Sequence, residues 1–182
     1  MNKLNKILII GLGLLSTLLY YPAMAGNRAG VVTLTPAVGY YVFSNQRQIK
    51  NTAIPNAAIA YNFNDKWAIE GTVGIINTQS NTAGLPGTHG TLYLVDGLYR
   101  IKPYKIIEPY LTAGVGALNL NNNYNNDALT QANINAGAGA QVFFTDCMAF
   151  RGEVRDLYTF VGGKNDVMFN LGLSLLFNTL SS

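Results

Sequence analysis

The chain has 182 residues, 49% of them hydrophobic and 12% charged, with a formal net charge of +3 and one cysteine. That length suits a single domain, and the single Cys147 excludes an intramolecular disulfide. Two of the basic residues, Lys3 and Lys6, lie in the first turn-length of chain; without them ten basic residues face nine acidic ones, which leaves no footprint for nucleic acid.

Residues 1–25 read as an export signal. Lys3 and Lys6 precede the apolar run Ile7-Leu8-Ile9-Ile10-Gly11-Leu12-Gly13-Leu14-Leu15, and Ala23-Met24-Ala25 supplies a small-residue cleavage site. The expected mature domain is 26–182, starting at Gly26. After the signal no apolar run approaches the roughly 20 residues of a membrane helix. A chain this apolar must therefore distribute its hydrophobic residues by alternation. Cys147 lies far from the cleavage site, where a lipid anchor would need it, and reads as a lone thiol in a turn.

Period-two patterning starts at Val32. From Val32 to Phe43 the positions Val32, Leu34, Val38, Tyr40 and Val42 are apolar, while Thr33, Thr35, Ala37 and Gly39 are small or polar. The second strand sets Ala57, Ile59, Tyr61 and Phe63 against Asn56, Ala58, Ala60 and Asn62. The third sets Trp67, Ile69, Val73 and Ile75 against Glu70, Thr72 and Gly74. Pro36 and Pro55 fall inside the first two strands, where each removes a ladder donor, so a bulge or a strand end is expected at both.

The fourth strand, Thr91 to Ile101, puts Asp96 and Arg100 opposite Tyr93, Val95, Tyr99 and Ile101. The fifth, Pro109 to Ala117, alternates Leu111, Ala113 and Val115 with Tyr110, Thr112, Gly114 and Gly116. The sixth runs from Gln131 to Phe144, and the seventh carries Arg151, Glu153 and Arg155 on one face. The eighth, Val167 to Phe177, places Val167, Phe169, Leu171, Leu173, Leu175 and Phe177 at every second position.

Connections alternate in length. Those at 64–66, 102–108 and 145–147 are short, and those at 44–52, 77–90, 120–130 and 160–165 are longer, as in a membrane barrel with turns at one rim and loops at the other. An internal echo relates Phe63-Asn64-Asp65-Lys66-Trp67 to Phe144-Thr145-Asp146-Cys147-Met148, either through duplication or through shared turn chemistry.

The fold expected is all-β, an eight-stranded antiparallel up-and-down transmembrane barrel. A soluble barrel would show water a face rich in Lys and Glu; here the less apolar face is mostly Gly, Ala, Thr and Asn, which suits a narrow lumen, and the bulky face suits lipid. Closure is required because every backbone donor in hydrocarbon needs an internal partner. Slipping the seventh strand by one residue would turn Arg151 and Arg155 toward lipid at about 2–4 kcal/mol each, so these arginines and Glu153 belong inside. The aromatics Tyr40, Tyr41, Phe43, Tyr61, Phe63, Trp67, Tyr99, Tyr110, Phe144 and Phe177 fall toward strand ends, as interfacial girdles do.

On Tyr61-Asn62-Phe63-Asn64-Asp65-Lys66-Trp67, Asp96-Gly97-Leu98-Tyr99, Pro109 to Gly116 and Arg151-Gly152-Glu153-Val154-Arg155, the mature chain resembles the eight-stranded outer-membrane barrels of the OmpA and OprF type. The resemblance covers the barrel alone, as in OmpX, without a peptidoglycan-binding domain. It implies a bacterial outer-membrane location with periplasmic termini, and contact with outer-membrane lipids and lipopolysaccharide. It also implies that Phe169, Leu171, Leu173, Leu175 and Phe177 form the C-terminal signal read by the assembly machinery; Asn178 to Ser182 depart from that pattern by following the final Phe.

Glu70, Asp96, Arg100, Arg151, Glu153 and Arg155 form the expected lumen charge network. Mutual pairing would plug the barrel; the resemblance implies the alternative that a rearrangement of the same pairs opens a narrow channel. Catalysis on lipid A needs a base beside a nucleophile; the only histidine, His89, sits in a loop with Ser80 near it in sequence, which argues against an enzyme. The polar run from Asn119 to Asp127 reads as an exposed loop and opens a third possibility, surface recognition. No cofactor or metal motif appears, and no external ligand is legible.

Overall fold

The computed structural model describes residues 27–44, 50–78, 88–104, 106–122 and 128–178. The expected signal and its cleavage site, and most of three long connections, lie outside the described residues. The eight strands are β1 (Val31–Val42), β2 (Thr52–Asn62), β3 (Trp67–Thr78), β4 (Thr88–Arg100), β5 (Ile107–Asn122), β6 (Ala128–Thr145), β7 (Met148–Thr159) and β8 (Lys164–Asn178). Each pairs antiparallel with its neighbours in sequence, and β1 pairs with β8 to close the barrel.

Register partners followed from Val32 through Tyr61, Ile69, Gly97, Ala113, Ala136, Asp156 and Val167 return to β1 at Val42, ten residues further on. A stagger of that size over eight strands tilts each by roughly 40° and leaves an interior that side chains just fill. The parity read from the sequence is the parity of the fold. Leu34, Val38, Tyr40, Ile59, Ile69, Val73, Val95, Leu111, Val115, Val154 and Leu171 face outward, whereas Thr33, Thr35, Glu70, Asp96, Arg151 and Arg155 are buried inside. Asp156 is a charge on the outer face, between Val154 and Tyr158 on β7.

The two prolines disturb the ladder in different ways. Pro36 leaves the β1–β8 register unshifted, but pairing is interrupted from Thr35 to Pro36 and resumes at Ala37 with Gly172. A hydrogen bond of 3.0 Å between Thr35 Oγ1 and Ser174 Oγ crosses that gap inside the lumen, so no bulge forms. Pro55 marks the point beyond which β2 pairs only with β1, because the β2–β3 ladder ends at Asn56. Above it, Thr52 Oγ1 donates to the Asn77 carbonyl at 2.8 Å and Thr78 Oγ1 to the Lys50 carbonyl at 2.5 Å, side chains taking over where the ladder stops.

Three expectations about connections change. The stretch at 160–165 is no long loop: β7 and β8 are joined by four residues, with Gly162 (φ 81°) and Gly163 (φ 57°) in the left-handed region that a side chain resists. Asn119 to Asn122 belong to β5, so the Asn-rich run is partly strand, and the β5–β6 hairpin extends past the last β6–β7 pair, Asn133 with Thr159. The two echoing hairpins also differ. Asn64 Oδ1 accepts from the Lys66 and Trp67 amides at 2.8 and 2.9 Å, whereas the turn at Asp146-Cys147 follows a register shift between Phe143 and Thr145. Cys147 there is a free, partly buried thiol 3.8 Å from Thr145 Oγ1.

Candidate functional site

The lumen divides into two layers. Toward the short turns it is polar and charged; toward the long connections it is mainly apolar, with Gln131, Asn133, Thr159 and Asp166 also buried there.

At mid-height Glu70 on β3 and Asp96 on β4 are register partners, so two carboxylates stand side by side on one wall. β7 faces them with Arg151, Glu153 and Arg155, which the two-residue strand period stacks in a column. Arg151 forms a two-pronged pair with Glu70, through Nη1–Oε2 and through Nη2–Oε1 at 2.8 Å. Arg151 Nη2 also reaches Glu153 Oε2 at 2.6 Å. Arg155 pairs with Asp96 and donates to Glu153 Oε1 from Nε at 2.9 Å. Paired in this way, two guanidiniums serve three carboxylates.

Neutral donors supply the rest. Tyr110 donates its hydroxyl proton to Glu153 Oε2 at 2.7 Å and accepts from Arg151 Nε at 2.7 Å, while the Arg151 guanidinium lies 4.8 Å from the Tyr110 ring centroid. Asn135 Nδ2 donates to Asp96 Oδ1 at 2.8 Å. Glycines make room for this crowding: a Cβ at Gly139 would overlap the Tyr110 ring, and one at Gly114 would overlap the Asp96 carboxylate.

Arg100 is separate from this group. It pairs with Glu108 at 2.9 Å and donates from Nη2 to Asn62 Oδ1 at 2.7 Å, close to the short-turn mouth. Of the six charges expected in the lumen, five therefore form one connected network and Arg100 joins a second. Glu108, expected in a turn, is buried on the inner face of β5.

Toward the long connections the inner face carries Tyr41, Phe43, Ile54, Ile76, Leu92, Leu94, Leu118, Leu157 and Met168, packed as one buried cluster. This adds a bulky apolar layer to a face expected to be mostly Gly, Ala, Thr and Asn. It also corrects the girdle assignment of Tyr41, Phe43 and Tyr110, which are 1%, 4% and 2% exposed and point inward. The remaining girdle aromatics face outward, with Trp67 and Tyr99 in contact at 4.8 Å between centroids and Tyr61 edge-on to Phe63 at 5.5 Å. Inward parity was the signal that could have placed Tyr41, Phe43 and Tyr110; aromaticity outweighed it.

His89 lies on the outer surface of β4, its Nδ1 2.7 Å from Asn77 Oδ1, and Ser80 lies outside the described residues. Among the described residues no group of three or more His, Cys, Asp or Glu is placed to hold a metal ion. On β8, Phe169, Leu171 and Phe177 are exposed on the outer face, with Leu173 and Leu175 of the same parity partly covered.

Comparison with known proteins agrees with this geometry. A family model described as outer membrane protein β-barrel domain matches residues 11–177. Among curated proteins none matches the chain. Solved structures of similar fold include the N-terminal β-barrel domain of Pseudomonas aeruginosa OprF, 19% identical with a TM-score of 0.64, covering 83% of this chain and 100% of that one. Neisserial surface protein A is 12% identical with a TM-score of 0.66, covering 82% of this chain and 98% of its own. Ail, the attachment invasion locus protein of Yersinia pestis, is 14% identical with a TM-score of 0.58, at 82% and 99% coverage.

Proposed function

Because the chain belongs to the outer membrane protein β-barrel domain family, we propose that it is an integral outer-membrane scaffold with a closed lumen, working through structure or surface interaction rather than conduction or catalysis. The observation that carries this reading is the double filling of the interior. The mid-height charges are paired across the lumen, and the layer above them is a packed apolar cluster. An ion crossing it would have to break buried ion pairs and then enter a dry layer, each step costing several kcal/mol.

In this reading the signal is cleaved after Ala25, the mature domain is 26–182, the termini and short turns face the periplasm, and the four longer or outer connections face outward. The outward alternation at Phe169, Leu171, Leu173, Leu175 and Phe177 serves as the signal for the assembly machinery. Intact mass of the protein from a membrane fraction checks the cleavage, with a mass retaining Met1 overturning it. Interaction would fall to the outer connections, held on a rigid wall by the extended β5–β6 hairpin. One similar barrel, Ail, has been solved in complex with the heparin analogue sucrose octasulfate. Ligand binding is thus compatible with this architecture.

The second reading is a narrow gated channel, favoured by the connectivity of five charges in one network. Single-channel recording of the refolded mature chain beside Glu70→Ala separates the two. Silence in both supports the closed scaffold; discrete steps that change with the variant replace it with the channel.

A further inference from the structure

Asn27 precedes β1, yet it is buried, 5% exposed, in the short-turn mouth of the barrel. Its Nδ2 donates to Glu108 Oε1 at 2.7 Å and to Gln141 Oε1 at 2.6 Å, and its Oδ1 accepts from Asn62 Nδ2 at 3.2 Å. One amide thus uses both its protons and its oxygen to tie β5 and β6 to β2, strands separated in the barrel by β3 and β4. Arg100 completes the arrangement. It donates to Asn62 Oδ1 and pairs with Glu108, so that Asn27, Asn62, Arg100 and Glu108 form a closed ring of polar contacts across the mouth.

This part of the lumen also holds polar atoms that the protein leaves unmet. Arg100 Nη1 and Thr33 Oγ1 are buried with no partner among the described residues. A guanidinium N–H and a hydroxyl in that state call for water, since buried polar groups without partners are strongly disfavoured. Farther up, the cluster is apolar apart from the Tyr41 hydroxyl, which already donates to Asp166 Oδ2 at 3.2 Å.

We propose that Asn27 is a latch, closing the short-turn mouth over a water-holding polar chamber that the apolar layer seals at its far end. Release of the latch admits small water-soluble molecules to the lower lumen from one side only. The latch stands on the hydrogen bonds alone; that its side is the periplasm rests on the orientation proposed above.

Thiol accessibility tests it. Thr33→Cys replaces a hydroxyl of the chamber by a thiol of similar size, and Leu94→Cys places one in the apolar layer; both are made with Cys147→Ser and refolded into phosphatidylcholine vesicles. A charged, membrane-impermeant methanethiosulfonate reagent is the probe. Cys147 in the parent chain, being in a short turn, reports which fraction of barrels has that rim facing the reagent. With Asn27 present the Thr33→Cys thiol reacts slowly, and Asn27→Ala speeds it by about tenfold or more, as expected when contacts to a charged group and two amides are lost. Asn27→Asp, which places a carboxylate against Glu108, acts in the same direction, and Leu94→Cys stays inert throughout. Equal Thr33→Cys rates with and without Asn27, or an inert thiol in both Asn27 variants when circular dichroism shows folded barrels, overturns the latch. Labelling Cys147 in intact cells tests the orientation separately and leaves the vesicle result standing either way.

Discussion

The two halves of the lumen solve one packing problem with opposite chemistry. The lower half fills its width with long charged side chains that meet across it, as Arg151 meets Glu70; the upper half fills the same width with Leu, Ile and aromatic side chains. The lower half is directional, since each guanidinium has a fixed set of acceptors and loses its compensation if one is removed. The upper half is not, because dispersion and exclusion of water depend on volume rather than on a particular partner. The difference predicts that the halves respond differently to the same kind of substitution.

The largest effect belongs to the charged half. Arg151→Ala takes from Glu70 its two-pronged partner and from Glu153 one of its two guanidiniums, and should destabilise the barrel by about 3–5 kcal/mol, read from urea unfolding in vesicles. The double variant Glu70→Met with Arg151→Met should recover most of that loss, because it removes the buried charges together with the pairing. A double variant as unstable as Arg151→Ala would mean that the network holds the fold by more than pairing.

In the apolar half, Leu118→Ala should cost about 2–4 kcal/mol, and Leu118→Met less than about 1.5 kcal/mol, since volume is conserved. If Leu118→Met proved as harmful as Leu118→Ala, the upper layer would be as specific as the lower, and the contrast would fail. Gly139→Ala probes the boundary of the lower network, where the new methyl meets the Tyr110 ring; about 1–3 kcal/mol of destabilisation is expected from overpacking.

The smallest change lies outside both halves. Asp156→Val removes a carboxylate from the outer face and should stabilise the vesicle-inserted barrel by about 1 kcal/mol, a lipid-facing acid costing less than an arginine. An unchanged midpoint would place Asp156 in a hydrated part of the interface.

Much of this architecture is legible in the sequence. Alternation at Val32 to Val42 and at Val167 to Phe177 determined strands with one lipid face, and the absence of a membrane-helix run after residue 25 required those strands to close. The parity of Arg151, Glu153 and Arg155 determined that they point inward, because a period of two admits only one choice once lipid surrounds the other face. Composition also signalled the girdles at Trp67, Tyr61 and Phe177.

What period two cannot express is height and partnership across the barrel. Tyr41, Phe43 and Tyr110 have inward parity but an interfacial side-chain type, and the fold follows the parity. The gathering of Ile54, Ile76, Leu92, Leu118 and Leu157 into one layer depends on a ten-residue stagger accumulated over eight pairings, which no single strand contains. The tertiary structure likewise decided that Arg155 takes Asp96, 59 positions away, and that Asn27 crosses the mouth to Gln141, 114 positions away, since such residues meet only after the barrel has closed.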